Sequence, residues 1–259
     1  METSGTLWYE NTKRTRCSTV AISMYLILLC VPYTIRPDFI EQQESKLIWK
    51  VVKTQLGEMH NRQVYDVVDS VVNNICQKND LDTASVHVFI SSSNEVNAFA
   101  TVGGHLIVNR GLLRDCRNES ELAGVLSHEI AHIQLRHLSS TFQIDLALTA
   151  ISIMLSNGSK SDFLTHMLYQ FVHNTIVRDK ETEADDQAVR YLRKAGYNPK
   201  DMANFMRRMQ SSGMLEFISD HPDSQKRAGM IEKKVAHSKI QNQNILSDYT
   251  WEKMKKEVQ

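Results

Sequence analysis

Apolar residues recur along this chain first at helical, then at strand, then again at helical spacing, and the changes of period divide it into elements. Between Phe39 and Lys78, Ile48, Val51, Val52 and Leu56, followed by Val64, Val67, Val68, Val71, Val72 and Ile75, fall at steps of three and four, which predicts two packing helices with a break near Gly57. From Ser85 to Val108 the period shortens. Val86 to Ile90 and His105 to Val108 read as strands around the turn-rich Ser91-Ser92-Ser93-Asn94 and Gly103-Gly104, with Asn97-Ala98-Phe99-Ala100-Thr101 between them. Asn118 to His137 returns to helical spacing through Leu122, Val125, Leu126, Ile130 and Ile133, so one face should lie against a core. Asn118 or Ser120 can cap its start, Glu119 and Glu121 place negative charge in its first turn, and Arg136 and His137 place positive charge in its last. Further helices are predicted over Phe163 to Val177, Asp179 to Lys194, Pro199 to Met209, with Met202, Met206 and Met209 as core, and Ser224 to Ala236; beyond His237 the chain is polar and reads as a mobile tail. The sum is an α+β chain, mainly helical.

Two apolar runs do not fit this scheme. Cys17 to Ile35 carries no charge, and a bilayer needs about 20 such residues. Lys13, Arg14 and Arg16 precede it, while Asp38, Glu41 and Glu44 follow, which places the N-terminus inside and the remainder on the far side of a membrane. A cleaved signal peptide would want a small-x-small site after the run, and none follows; a buried N-terminal helix would not open on Ser18 and Thr19 and close on Pro32. The second run, Gln143 to Leu155, is interrupted by Asp145 and reads as a helix over a cleft or on a membrane surface. The organisation is then residues 1–36 as tail and anchor, 37–240 as the folded domain and 241–259 as a polar tail.

Composition narrows the partners. Thirty basic and thirty acidic residues in 259 give zero formal charge, so nothing supports nucleic-acid binding. The four cysteines contain no CxxC pair, which removes a thiolate metal site; Cys76 and Cys116 are either bonded in an oxidising compartment or, at least as readily, free and buried.

The chemistry lies in His128-Glu129-Ile130-Ala131-His132. Residues four apart on a helix differ by about 40° around the axis, so His128 and His132 can hold one metal ion, while Glu129, about 100° from His128, reaches a water beside that metal without being a ligand. A buried structural histidine pair is the plain alternative. What weighs against it is Glu181-Thr182-Glu183-Ala184-Asp185-Asp186. Glu181 and Asp185 share a helix face, so Glu181 can supply a third ligand while Asp185 stands behind it and accepts from a ligating histidine; Glu183 and Asp186 point to solvent. Alone, that segment would be an ordinary acidic first turn. A histidine at 138 after a glycine at 135 would define another zinc class, but Leu135 and Leu138 stand there. His137, about 180° from His128 on a continuous helix, should interact with the helix C-terminus rather than the metal.

Taken with His221-Pro222, Arg227, Asn97-Ala98-Phe99-Ala100, Gly103-Gly104-His105 and Gly111-Leu112-Leu113, these motifs resemble the gluzincin family of HtpX-like, CAAX-prenyl-protease-like and OMA-type zinc metallopeptidases, over about residues 60–235 and in the family's order. The resemblance implies a zincin-type domain whose small β-sheet flanks the HExxH helix. It implies one Zn2+ per chain held by His128, His132 and Glu181, Glu129 as the base, His221 near the scissile carbonyl or closed over the zinc, and Arg227 bracing the ligand helix. Read from the residues alone, Asn97, Ala98 and Phe99 are either a strand at the cleft rim that binds substrate backbone or an ordinary hairpin flank, and composition does not separate the two. Prenyl-protein processing is not implied, because those members have several membrane spans and this chain has one at most.

The expected function is zinc-dependent endopeptidase activity on protein or peptide substrates, in membrane or envelope protein quality control, on the far side of a bacterial inner membrane or the mitochondrial inner membrane. A latent protease acting as a chaperone with its zinc site capped is the second reading; a zinc scaffold without hydrolysis would have no use for Glu129. None of these patterns encodes an oligomeric state.

Overall fold

The computed structural model describes residues 45–46, 49–50, 52–141, 161–211, 221–236 and 243–259, with the backbone alone for 161–176. Helix α1 (Arg62–Lys78) begins at Asn61, whose Oδ1 accepts from the Val64 amide at 3.2 Å. Its valines at 64, 67, 68, 71 and 72, with Ile75, are buried as their spacing predicts. At about 1.5 kcal/mol or more for each aliphatic side chain taken from water, that stripe is ample to dock the helix. Strands β1 (His87–Ser91), β2 (Ala98–Thr101) and β3 (His105–Asn109) form one sheet in the order β1-β3-β2, β1 parallel and β2 antiparallel to β3. The β2-β3 hairpin turns at Gly103 and Gly104, with φ of 88° and 78°; a side chain on Gly104 would also strike the Ser85 carbonyl. β2 is consequently an edge strand.

After the short α2 (Arg110–Asp115) comes the central helix α3 (Glu119–Gln134). Asn118 is its cap, accepting from the Glu121 amide at 2.8 Å. The sequence predicts one buried face, whereas every residue from Glu119 to His132 is buried. Helices α4 (Ser161–Ala195) and α5 (Pro199–Ser211), strand β2 and α1 all pack around α3. Gly124 permits the α5 crossing: a Cβ there would lie 2.8 Å from Met202 Cβ. Met202, Met206 and Met209 are buried in the core.

The two helices expected over Phe163 to Val177 and Asp179 to Lys194 are one. No glycine or proline interrupts Ser161–Ala195, so nothing stops the backbone between them. Helix α6 (Ser224–Val235) packs on α5 and α4. The expected mobile tail is corrected for its last part: α7 (Asp248–Glu257) buries Trp251 and Met254 with Val258 after it. The polar composition hid a narrow apolar stripe. Lys255 Nζ donates to the Leu113 and Cys116 carbonyls at 3.1 and 2.7 Å, and to that of Arg114, closing the end of α2. Buried Glu119 accepts from the Ile245 and Leu246 amides, each at 3.1 Å, and from Tyr197 Oη at 2.6 Å. The segment before α7 is thus fastened to the start of the central helix.

Cys76 and Cys116 are free and buried. Among the described residues no helix is long and apolar enough to cross a membrane. The run Cys17 to Ile35 and the Gln143 to Leu155 segment lie outside them.

Candidate metal centre

Because α3 is buried among its neighbours, its histidines meet residues of α4 and α6 in one buried cluster. His132 Nε2 lies 3.0 Å from His128 Nε2 and 3.1 Å from Glu181 Oε1; His128 Nε2 lies 3.4 Å from Glu181 Oε2. His221, just ahead of α6, brings its Nδ1 to 3.2 Å from the same Oε2. One ligand atom from each of His128, His132, Glu181 and His221 can be chosen so that all lie within 4.8 Å of one another, and all four residues are buried.

Asp185 and Arg227 support this cluster from behind. His128 Nδ1 is 3.0 Å from Asp185 Oδ1. Arg227 donates through Nε and Nη2 to both Asp185 oxygens at 2.7 Å and through Nη1 to Glu181. Burial would raise the Asp185 pKa, but Arg227 and His128 outweigh it and hold the carboxyl below its ordinary range. Glu181 is likewise held far down, against burial, by the three imidazoles around it. For His128, burial works downward, yet Asp185 and Glu181 push the pKa up to about 9. Burial lowers that of His132.

The donor set tests whether a metal fits. Asp185 takes the Nδ1 side of His128, which leaves the Nε2 lone pair facing a second imidazole nitrogen and a carboxylate at 3.0 to 3.4 Å. Arg227 supplies positive charge from one side, donating to Glu181 and bringing Nη2 to 3.4 Å from His128 Nε2, and the remaining convergence of acceptors suits a further cation among them. The upward push on His128 is the same convergence met by a proton. Two imidazole nitrogens and a carboxylate oxygen suit zinc.

Glu129 stands beside the group rather than in it. Its Oε2 accepts from the Ala100 amide of β2 at 2.9 Å, and Oε1 is 3.4 Å from His221 Nε2. Phe99, Ala100, Glu129, His132, Glu181 and His221 line a cleft open along β2. Of the three residues expected at the rim, only Phe99 lines it. Ala98 is fully buried in the core, and Asn97 is buried with its carbonyl accepting from the Asn109 amide at 3.1 Å. Backbone groups alternate between partner and edge along an antiparallel strand. With Asn97 turned to β3, the edge-facing groups belong to Ala98, which is fully buried, and Ala100, whose amide is taken by Glu129 and whose carbonyl is left on the cleft side.

His137 is the residue that sequence reasoning misplaced. The helix does not run on to it: α3 ends at Gln134, Arg136 takes a left-handed φ of 54°, and residues 137–141 are helical again. This reversal buries His137 and sets its Nδ1 3.1 Å from His132 Nδ1, with Nε2 3.3 Å from Glu183 Oε2. Burial, then the neighbouring His132, lowers its pKa. Glu183 is largely exposed but not idle. Asp186, at the surface, pairs with Lys234. No local signal marks a left-handed arginine, so the sequence could not have shown the turn.

The comparisons agree with this geometry. The chain is 26% identical to the β-barrel assembly-enhancing protease of Yersinia pestis over an alignment of 186 positions that covers 65% of this chain and 38% of that one. It is 29% identical to metalloprotease YcaL of Escherichia coli K12 over 170 residues, covering 62% of this chain and 66% of that one. It is 27% identical to mitochondrial metalloendopeptidase OMA1 of Schizosaccharomyces pombe over 218 residues, covering 80% of this chain and 64% of the relative. The model of peptidase family M48 matches residues 58–235, the span that holds both histidines of the HExxH helix, Glu181, His221 and Arg227, and the chain belongs to that family.

Proposed function

We propose that this chain is a zinc-dependent endopeptidase acting on protein substrates, and the observation that carries the reading is the meeting of His128 Nε2, His132 Nε2 and Glu181 beside a carboxylate, Glu129, that stays out of the group. When bound, zinc supplies a Lewis acid that polarises the scissile carbonyl and makes a nearby water more acidic. Glu129 takes the proton of that water on its carboxylate and returns it to the leaving amine. His221, whose Nε2 is 3.4 Å from Glu129 Oε1, donates to the oxyanion, a contribution of about 3 kcal/mol in comparable sites. Asp185 holds the His128 ring and Arg227 holds both acidic residues. The Ala100 carbonyl, on the edge side of β2, aligns an extended substrate, with Phe99 at the rim.

The chain spans 38% of the Yersinia protease and about two thirds of YcaL, so the activity and its setting are read from the site and not transferred whole. A role in membrane or envelope protein quality control is supported by the relatives' names, which speak of β-barrel assembly and of mitochondria. Attachment through residues 17–35, with the catalytic domain on the non-cytoplasmic side, is supported by the basic residues before that run and the acidic ones after it.

The test is metal content together with casein cleavage, wild type beside Glu129→Gln. Bound zinc in both with cleavage only by the wild type is expected. A Glu129→Gln protein that cleaves as fast as wild type would overturn the assignment of the base, and a wild type that binds no zinc would overturn the reading as a whole.

A further inference from the structure

We infer that His137 is a positioning residue: with Glu183 it fixes which nitrogen of His132 faces the metal. The inference rests on the zinc reading above and adds to it a chain of three side chains running from the surface of α4 to the centre.

The turn at Arg136 is what makes the chain possible. Five residues along an unbroken helix would rotate His137 about 140° away from His132. Instead the reversal places the two rings edge to edge, with Nδ1 facing Nδ1 at 3.1 Å. Two nitrogens at that distance share one proton, and its owner follows from the far end. Glu183 Oε2, 3.3 Å from His137 Nε2, is a carboxylate oxygen and only accepts. The single ring proton of His137 therefore sits on Nε2, its Nδ1 presents a lone pair, and His132 must donate from Nδ1. That leaves His132 Nε2 as a lone pair aimed at Glu181 Oε1, 3.1 Å away, in the space a cation would fill. On the other ligand, Asp185 does the same for His128 directly. One histidine is oriented by a carboxylate, and the other by a histidine that a carboxylate orients in turn.

The anchoring of His137 argues against a mere space-filler. Its carbonyl accepts from Lys180 Nζ at 2.9 Å, and that amine also reaches Ser140 Oγ and Thr141 Oγ1, each at 2.7 Å. Lys180 and Glu183 flank Glu181 on the same helix, so α4 supplies one ligand and aligns another.

The experiment is zinc affinity by chelator competition on the purified full chain, for wild type, His137→Leu, His137→Asn and Glu183→Ala, with the melting temperature of each zinc-free protein. Asn can place its amide oxygen near the position of Nδ1 and so keep the acceptor. We expect His137→Leu to bind zinc 10- to 100-fold more weakly, His137→Asn to lie within about threefold of wild type, and Glu183→Ala to fall between. A purely structural role would lower the melting temperatures of both His137 variants and leave their zinc affinities alike. Affinity within threefold of wild type for His137→Leu would overturn the inference. A second readout needs no variant: in zinc-loaded wild type, ring nitrogen NMR should show His132 bound through Nε2 with its proton on Nδ1, and binding through Nδ1 would overturn the inference even if His137→Leu fails to fold. Failure of the wild type to bind zinc would instead strike the functional reading on which this rests.

Discussion

Arg227 is the residue whose removal should cost the fold most, and its surroundings allow the cost to be worked out. Arg227 is 3% exposed and its side chain is shared between Asp185 and Glu181, both buried. Arg227→Met keeps much of the stem's bulk but removes the only guanidinium in contact with those two carboxylates among the described residues. Breaking a buried pair in this way costs about 3 to 5 kcal/mol, most of it the charge left behind. For a domain of this size that is a fall of roughly 6 to 20 °C in melting temperature. The charge left behind can be removed as well. In an Asp185→Asn background Arg227→Met should therefore cost less by about 1.5 kcal/mol or more, a coupling typical of groups in one network. The assay is urea unfolding of zinc-free wild type, both single variants and the double variant. The pH dependence gives a second handle. Asp185 is depressed in the folded state, so its contribution is present above the ordinary carboxylate pKa of about 4 and is lost as pH falls below it. Arg227→Met should flatten that acid-side loss. A single variant within 1 kcal/mol of wild type, or an equal cost in both backgrounds, would refute the reasoning.

Two further outcomes follow from the packing. Ending the chain before Asp248 removes the burial of Trp251, Met254 and Val258 and leaves the α2 carbonyls without Lys255, so unfolding free energy should drop by about 4 kcal/mol or more in a urea titration; a truncated chain as stable as the full one would show that α7 does not belong to the cooperative unit. Cys76, pushed up to about 11 by burial and then by Asp82, and Cys116, raised further by full burial, should resist iodoacetamide at pH 8 in the native protein and react in urea, read by peptide mass; at pH 8 only about one Cys76 thiol in a thousand would be ionised.

The sequence by itself determined most of the elements, though not the continuity of α4 or the existence of α7, and the reagents. Helical spacing marked α1, the central helix and α5, because residues three and four apart share a face wherever the helix packs. The HExxH pentapeptide and the Glu181 to Asp185 step placed His128 beside His132 and Asp185 beside Glu181 for the same local reason. What no local pattern could decide was how the elements meet. Burial on every face of α3 depends on α4, α5 and β2 closing around it, and the approach of α5 depends on Gly124 lying opposite Met202. The docking of α7 turns on three apolar positions in a polar stretch that matter only once the floor beneath them exists. His137 shows the division most sharply: its distance along the chain put it on the wrong side of a helix, and a single left-handed residue, Arg136, returned it to the candidate metal centre, where Lys180 and Glu183 of α4 hold it.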